Sequence, residues 1–570
     1  MKMLFKDAIS NHCPYFVTSL IILLLALLLR LPQLTGSFWL DEAAQALESS
    51  RPFDQQLDIV GDFQPPLIHL LTYVAIQIGQ PFGLERSEWW LRTWGALIPG
   101  LLTIFLTMKI AQTFQTSPSF KQRLFNPLEF FKRIATNSIQ LFTSFKQSPF
   151  KFGLHNLTGI GLILREARVS NIIFGLLTGF LLATSSLHIF YSQELRPYSL
   201  PALWATLSWW LIFKKRWHWL AVVTALGLYT SYLYPFLMVG QLAYLFFQTQ
   251  PDFNFKHKLR ASGLVKTSLA WLTTKRMALL GGSLLFLPWL PMFIRQLQAG
   301  EVIRAQLPGW SEVVSIPQFK ALPLILGKFV FGVVELNLSL PFLVMSAIFV
   351  SLLMNLMLNT WIKQPTASKV WLKTLIFWVM IPLLTAWLVS FVVPVVRPKR
   401  LLLLLPGFYL AISGLIIVSQ SKLKYALLVL LIGCNLFGTY SYLTERNLQR
   451  EDWRGLIRAL ETKYLHQSGQ PQTTTAVFSF SGPFPPWTWY AQPEFATLST
   501  GVLSVNQLTS LDSLLLETQK FQTLLVFDYL QDLTDPNRLL LTELDQAGFA
   551  QKELFAYPGI GFVREYQAKK

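Results

Sequence analysis

The chain has 570 residues, 52% of them apolar and only 14% charged, with a mean hydropathy of +0.42. Soluble domains carry roughly a quarter charged residues, so this chain has too few polar side chains to cover itself in water and is expected to be an integral membrane protein. Its aromatic content of 14% excludes disorder, and a formal charge of +18 in such a chain reports Lys and Arg in cytoplasmic loops rather than nucleic-acid binding.

In chain order, Lys2 and Lys6 precede an apolar run over 15–29. No small-x-small cleavage site follows, so the run reads as an uncleaved first helix. Next come Leu40-Asp41-Glu42 and a helix-like stretch to about Ser49. The apolar segment 65–83 opens on Pro65-Pro66 and is assigned to the membrane interface, as is 320–336. Runs near 93–112, 171–189, 199–213, 219–233, 235–248, 277–294, 338–361, 374–394, 401–418 and 425–443 are expected to cross. With the first helix this makes about eleven spans, several shorter than the roughly 20 residues of a straight crossing.

Lys and Arg concentrate at 113–169, 214–216, 256–276, 363–373 and 422–424. Placing these loops in the cytoplasm predicts a multi-pass plasma (inner) membrane protein with a cytoplasmic N-terminus. It leaves 32–91, the connections near 190–198 and 395–400, and the chain after 444 outside. That last part has a different composition. A helix from Glu451 to about Tyr464, β-rich runs at 475–479 and 523–527, and a Pro-Gly turn within 555–565 predict a small α/β domain. The expected division is an all-α transmembrane domain over 1–444 and an external α/β domain over 445–570.

Three clusters carry candidate chemistry. Asp41 and Glu42 stand just past the outer end of the first helix, where an Asp also serves as an ordinary helix cap. Ser192-Gln193-Glu194-Leu195-Arg196-Pro197-Tyr198 is a second acidic segment on the same face, equally readable as a solvated turn with an ion pair. Arg397-Pro398-Lys399-Arg400 puts three cations outside, against the usual bias, and suits a phosphate better than snorkelling to the interface. Cys13 and Cys434 offer no disulfide framework, and the seven His show no metal-ligand spacing, so no cofactor is expected and a divalent metal, which Asp41 and Glu194 could share, is not favoured.

The order of these motifs resembles the membrane-embedded GT-C glycosyltransferases, specifically the bacterial relatives of protein O-mannosyltransferases and of the lipid A aminoarabinose transferase. It runs from Leu40-Asp41-Glu42 through Asp62-Phe63-Gln64-Pro65-Pro66-Leu67, Leu91-Arg92, Tyr191 to Tyr198, and Leu287-Pro288-Trp289-Leu290-Pro291 to Arg397 through Arg400. The resemblance covers about 15–445. Gln64 stands where relatives often have His, and Ser231 where they often have the His of Thr-His-Tyr.

The resemblance implies inverting transfer of a sugar from a polyprenyl-phosphate carrier to a lipid, glycan or protein hydroxyl on the outer side. Asp41 is then the general base, with Glu42 orienting the acceptor or substituting for it. Arg397, Lys399, Arg400 and Arg196 are placed to receive the phosphate. Glu194, Tyr198, Gln64 and Arg92 complete the implied substrate site. Two rival readings are a flippase of lipid-linked sugars and a non-catalytic scaffold subunit. Acidic residues gathered at one face, rather than at the bilayer midplane, favour the enzyme.

Overall fold

The computed structural model describes residues 2–114, 167–248, 274–307, 309, 316–336, 339–363, 369–393, 396–465 and 473–569. The basic insertion expected at 113–169 therefore lies almost wholly outside the described residues, as does most of the basic segment 256–276. The protein is a multi-pass membrane protein, a helical bundle carrying a small α/β domain at its C-terminal end.

Each apolar run expected to cross forms a helix. Five helices among the described residues are long and apolar enough to cross a bilayer: Glu88–Thr113, Arg276–Gln306, Leu340–Lys363, Val370–Val389 and Leu423–Thr444. The other expected spans are shorter apolar helices: Tyr15–Leu28, Asn171–Ala183, Ser199–Phe213, Trp217–Leu228, Tyr234–Gln248 and Leu402–Val418. The chemistry of the breaks is local. Pro288 and Pro291 lack amide donors, and Arg276–Gln306 passes through a 3-10 turn at Leu287–Trp289. In Glu88–Thr113 a π-turn at Thr93–Leu97 precedes Pro99.

Four of the first elements carry the site. Helix α1 (Lys2–Leu28) leads through a short loop into α2 (Leu40–Ser49); α3 (Leu67–Gly79) then packs on α2, and α4 (Glu88–Thr113) follows. The two interface assignments, 65–83 and 320–336, correspond to α3 and to the helix Gln318–Phe331. Phe38, Ala43 and Ala46 meet Ala75, Ile76, Leu91 and Leu195 in one small core, which fixes α2 against α3 and α4.

Polar groups buried at this end are paired, as the cost of an unmet hydrogen bond away from water requires. Arg30 is fully buried and donates to the Ala26 carbonyl at 2.7 Å and the Ala183 carbonyl at 3.1 Å, closing two helix C-termini. Gln193 donates to the Arg30 carbonyl at 2.6 Å and accepts from the Tyr442 hydroxyl at 2.8 Å. Gly100 gives α4 the room to lie directly against Ser192. The second acidic segment is thereby held beside the loop that follows α1.

After Thr444 the chain turns into the α/β domain, whose helix Trp453–Tyr464 covers a five-stranded sheet. Strands β1 (Thr474–Phe478), β2 (Ala496–Ser499), β3 (Thr523–Phe527), β4 (Phe549–Tyr557) and β5 (Gly561–Ala568) run in the order β2-β1-β3-β5-β4. The first three pair in parallel; β5 is antiparallel to β3 and forms a hairpin with β4. Both faces are covered. Phe478 and Phe527 point into a core with Trp453, Leu456 and Trp487, while Val477 and Val526 point into another with Leu511, Leu540 and Leu544.

Candidate active site

The first turn of α2 carries two adjacent carboxylates with opposite surroundings. Trp39 occupies the N-cap position and its side chain makes no cap bond, so Asp41 does not serve as that cap. Among the described residues, the Asp41 carboxylate has no hydrogen-bond or ion-pair partner. It lies in the field of two guanidinium groups, Arg196 and Arg400, and Arg196 also donates to the Asp41 backbone carbonyl at 3.4 Å.

Glu42 is fully buried and fully engaged. Arg92, itself at 0% exposure, meets it with two parallel bonds, Nε to Oε1 at 2.8 Å and Nη2 to Oε2 at 2.6 Å. The Leu195 amide donates to Oε1 at 2.6 Å, and Arg450 stands 3.7 Å from Oε2. Burial would raise this carboxyl, but Arg92 outweighs it and holds Glu42 below the usual carboxylate range. Arg92 also donates to the carbonyls of Leu34 (3.0 Å), Gly36 (2.6 Å) and Ser37 (3.1 Å). One ion pair therefore holds the loop before α2, α2 itself, α4 and the segment around Leu195.

Beneath it lies a polar network of which the sequence singled out only Gln64 and Arg196 as site residues. Phe63, at φ +50°, turns the chain in the left-handed region just before Gln64. Gln64 donates to the Gln45 side chain at 2.8 Å and contacts Asp62 and His69. His69 is fully buried; its Nε2 faces Asp62 Oδ2 at 2.7 Å and its Nδ1 faces the Gln45 amide at 2.9 Å. Arg196 completes the network, donating to Asp62 Oδ1 at 3.1 Å. Burial opposes ionisation of Asp62, yet Arg196 and His69 outweigh it and keep the carboxyl below its usual range. Ligand atoms of Glu48, Asp62 and His69 lie within 4.8 Å of one another, close enough for a cation, but both His69 nitrogens are already hydrogen-bonded.

The second acidic segment and the basic cluster reach the same place. Glu194 accepts from Arg450 at 3.1 Å, and burial, reinforced by the nearby Glu42 charge, raises its carboxyl. Lys399 lies over the rings of Trp39 at 5.3 Å and Tyr198 at 5.5 Å, while Arg400 shares its electrostatic surroundings with Tyr198, Asp41 and Arg196. Arg397 is half-buried and interacts with Tyr198 and Tyr191. Among the described residues, the buried polar atoms here without a hydrogen-bond partner include Glu194 Oε1, Arg196 Nε, Arg450 Nε, Gln64 Oε1 and Trp39 Nε1. Buried groups left unmet beside a free carboxylate and several cations are what an anionic, hydroxyl-rich ligand satisfies.

The structure thus brings Asp41, Glu42, Gln64, Arg92, Glu194, Arg196, Tyr198, Lys399 and Arg400 to one end of the bundle, with Arg397 at its edge. Sequence reasoning missed Arg450, Glu451, His69, Glu48 and Trp39. Glu451 accepts from Trp453 at 2.7 Å and Tyr529 at 2.8 Å, and burial pushes its carboxyl up to about 7. The one available signal was the position of Arg450 and Glu451 at the entrance of the second domain, beside Asp452-Trp453-Arg454.

Two outcomes follow. Replacing Arg92 by Ala strands the Glu42 charge in a dry site and should destabilise the fold by about 3–5 kcal/mol, read as a fall in detergent melting temperature; adding Glu42→Gln should recover part of it. Burial, then the Asp62 charge, pushes Glu48 up to about 7, above its unfolded value of about 4.3. The folded state then keeps a proton the unfolded chain releases, so this group's contribution is fully present below about pH 4 and fades as pH rises towards 7. In Glu48→Gln the difference in melting temperature between pH 5 and pH 7.5 should shrink, with the Glu451 share remaining.

No protein-family model matches the chain, and no curated protein matches it. Among solved structures, ArnT from Cupriavidus metallidurans in the apo state is similar, with a TM-score of 0.45 at 10% identity over 98% of each chain. The same protein bound to undecaprenyl phosphate gives a TM-score of 0.44 at 10% identity, again over 98% of each chain.

Proposed function

We propose that the protein is an inverting GT-C glycosyltransferase that moves a sugar from a polyprenyl-phosphate donor to an acceptor hydroxyl on the external face of the membrane. The observation that carries this reading is the Asp41 carboxylate: among the described residues it is without a hydrogen-bond or ion-pair partner, while Glu42 and Asp62 are each bonded and Glu194 is tied at one oxygen. A general base must be free to accept a proton.

In the proposed reaction the acceptor oxygen bonds to the anomeric carbon from the face opposite the phosphate. The hydroxyl proton passes to Asp41 as the carbon–oxygen bond to phosphate breaks, and the bonding pair leaves on the polyprenyl phosphate. The growing negative charge on that group is met by Arg400, Lys399 and Arg397, with Arg196 beside them. The unmet Oε1 of Glu194 and Nε1 of Trp39 are suited to sugar hydroxyls. We assign Glu42 to positioning rather than proton transfer, because both its oxygens are occupied in a fully buried pair. We assign Arg92 and Gln64, both buried in the same networks, to the same task.

Turnover of purified protein with a synthetic polyprenyl-phosphate sugar tests this. A positioned base contributes about 10²–10⁴ in rate, so Asp41→Asn should lose that much while donor binding and melting temperature stay near wild type. Arg400→Ala should weaken donor use by roughly 10- to 100-fold, as expected when a charge-assisted hydrogen bond worth about 1.5–3 kcal/mol is lost, and Arg400→Lys should recover only part. Wild-type turnover in Asp41→Asn would remove the base. A flippase would move lipid-linked sugar while releasing no polyprenyl phosphate.

The orientation is tested separately. Single cysteines replacing Phe130 and Lys520, probed with an impermeant thiol reagent in intact cells, should label only at position 520. Labelling at 130 alone would put the site on the cytoplasmic side.

A further inference from the structure

Two helices of the C-terminal domain reach the turn that precedes Asp41. Helix Pro485–Tyr490 opens on two prolines, which suit a first turn where no amide donor is needed, and lies against α2. Its two indoles serve different cores. Trp487 belongs to the aromatic core of its own domain, while Trp489 packs in the small core that holds Phe38, Ala43 and Ala46. The Phe38 and Trp489 rings stand 5.8 Å apart, and the Arg86 guanidinium covers the Trp489 ring at 4.7 Å while donating to the Trp489 carbonyl.

A closed set of hydrogen bonds surrounds this contact. The Phe38 amide donates to the Tyr490 hydroxyl at 2.7 Å, and that hydroxyl donates to Glu88 Oε1 at 2.8 Å. Arg454, in the first turn of helix Trp453–Tyr464, donates from Nη1 to the same Glu88 oxygen at 2.7 Å and from Nη2 to the Thr35 carbonyl at 2.9 Å. Its backbone amide, which has no partner within the helix so close to the start, donates to Ser37 Oγ at 3.1 Å. Glu88, buried at the start of α4, is thus the acceptor on which Tyr490 and Arg454 converge.

The Glu42–Arg92 pair holds the same turn by different groups. Arg92 takes the carbonyls of Leu34, Gly36 and Ser37. The C-terminal domain takes the Thr35 carbonyl, the Ser37 hydroxyl and the Phe38 amide. Each residue from 34 to 38 is therefore bonded by one set or the other, and Trp39 and Leu40 lead directly on to Asp41.

We infer that Tyr490, Arg454 and Glu88 are positioning residues for Asp41: together they fix the turn over 35–38, which makes the C-terminal domain part of the catalytic arrangement. This rests on Asp41 acting as proposed above. A domain that only captured acceptor at the end of a free linker would make no bonds to the backbone of this turn.

The test compares Tyr490→Phe, Arg454→Ala, Arg454→Lys and Leu540→Ala with wild type, each as the full-length protein in detergent with a synthetic polyprenyl-phosphate sugar. Tyr490→Phe removes one oxygen and leaves the Phe38 amide without its acceptor. Leu540→Ala loosens the core on the other face of the sheet and touches no part of the turn. Misplacing a catalytic group by about 1 Å can lower a rate by up to about a hundredfold. Tyr490→Phe and Arg454→Ala should each lower kcat per folded molecule by roughly three- to thirty-fold, with donor KM changed less than about twofold. Arg454→Lys should recover part of the loss. Hydrogen exchange of the peptide covering 34–41 should be faster in Tyr490→Phe and Arg454→Ala. Leu540→Ala should lower the melting temperature while kcat per folded molecule and exchange at 34–41 stay near wild type. If Arg454→Ala fails to fold, Tyr490→Phe carries the comparison. Wild-type kcat in Tyr490→Phe, with or without faster exchange, would overturn the positioning role, and so would an equal loss of kcat in Leu540→Ala. Should the wild-type protein transfer no sugar at all, the proposed function fails, while the exchange data still decide whether Tyr490 and Arg454 order the turn.

Discussion

The buried pair of Glu42 and Arg92 is the contact on which the rest of this end of the molecule depends. Two charges taken out of water are costly unless each finds matching geometry and further hydrogen bonds. Here Arg92 places two bonds on the carboxylate and three on backbone carbonyls, and Glu42 takes the Leu195 amide as well. The pair therefore gathers four stretches of chain that are remote in sequence. Its value lies in fixing an arrangement more than in adding net stability.

Asp41 owes its condition to that arrangement. Three guanidinium groups of this cluster are committed to other carboxylates: Arg92 to Glu42, Arg196 chiefly to Asp62, Arg450 to Glu194. Among the described residues the Asp41 carboxylate makes no hydrogen bond or ion pair, although Arg196 and Arg400 lie close enough to act on it electrostatically. Such a group is unfavourable for folding alone, and the surrounding pairs make it tolerable. The C-terminal domain adds a second layer, since its Tyr490 and Arg454 bond the turn that leads into Asp41.

Much of the fold was legible because its signals are local. Long apolar runs near 338–361 and 425–443 became the helices Leu340–Lys363 and Leu423–Thr444, and the alternating residues near 475 and 523 became adjacent parallel strands. Span lengths were less legible, since Pro288, Pro291 and the π-turns divide helices without changing hydropathy. Of the candidate site, the acidic and basic clusters could be seen as clusters, but not who pairs with whom. Glu42 looked like a second catalytic group because it adjoins Asp41; the partner that occupies it, Arg92, is 50 residues away. His69 showed no ligand spacing, and its role in a network with Asp62 and Gln64 appears only once the turn at Phe63 is folded. Arg450 belongs in sequence to a domain entrance, and nothing local in it announces that it reaches back to Glu42 and Glu194.

The central claim is that one carboxylate in this cluster is chemically available while its neighbours are tied. Carbodiimide coupling with an amine nucleophile near pH 5.5, read by peptide mass spectrometry against remaining turnover, tests it most directly. Asp41 should be modified ahead of Glu42 and Asp62, in step with loss of activity, and added polyprenyl-phosphate sugar should slow the reaction. Modification of Glu42 before Asp41, or complete modification of Asp41 with turnover intact, would contradict the account.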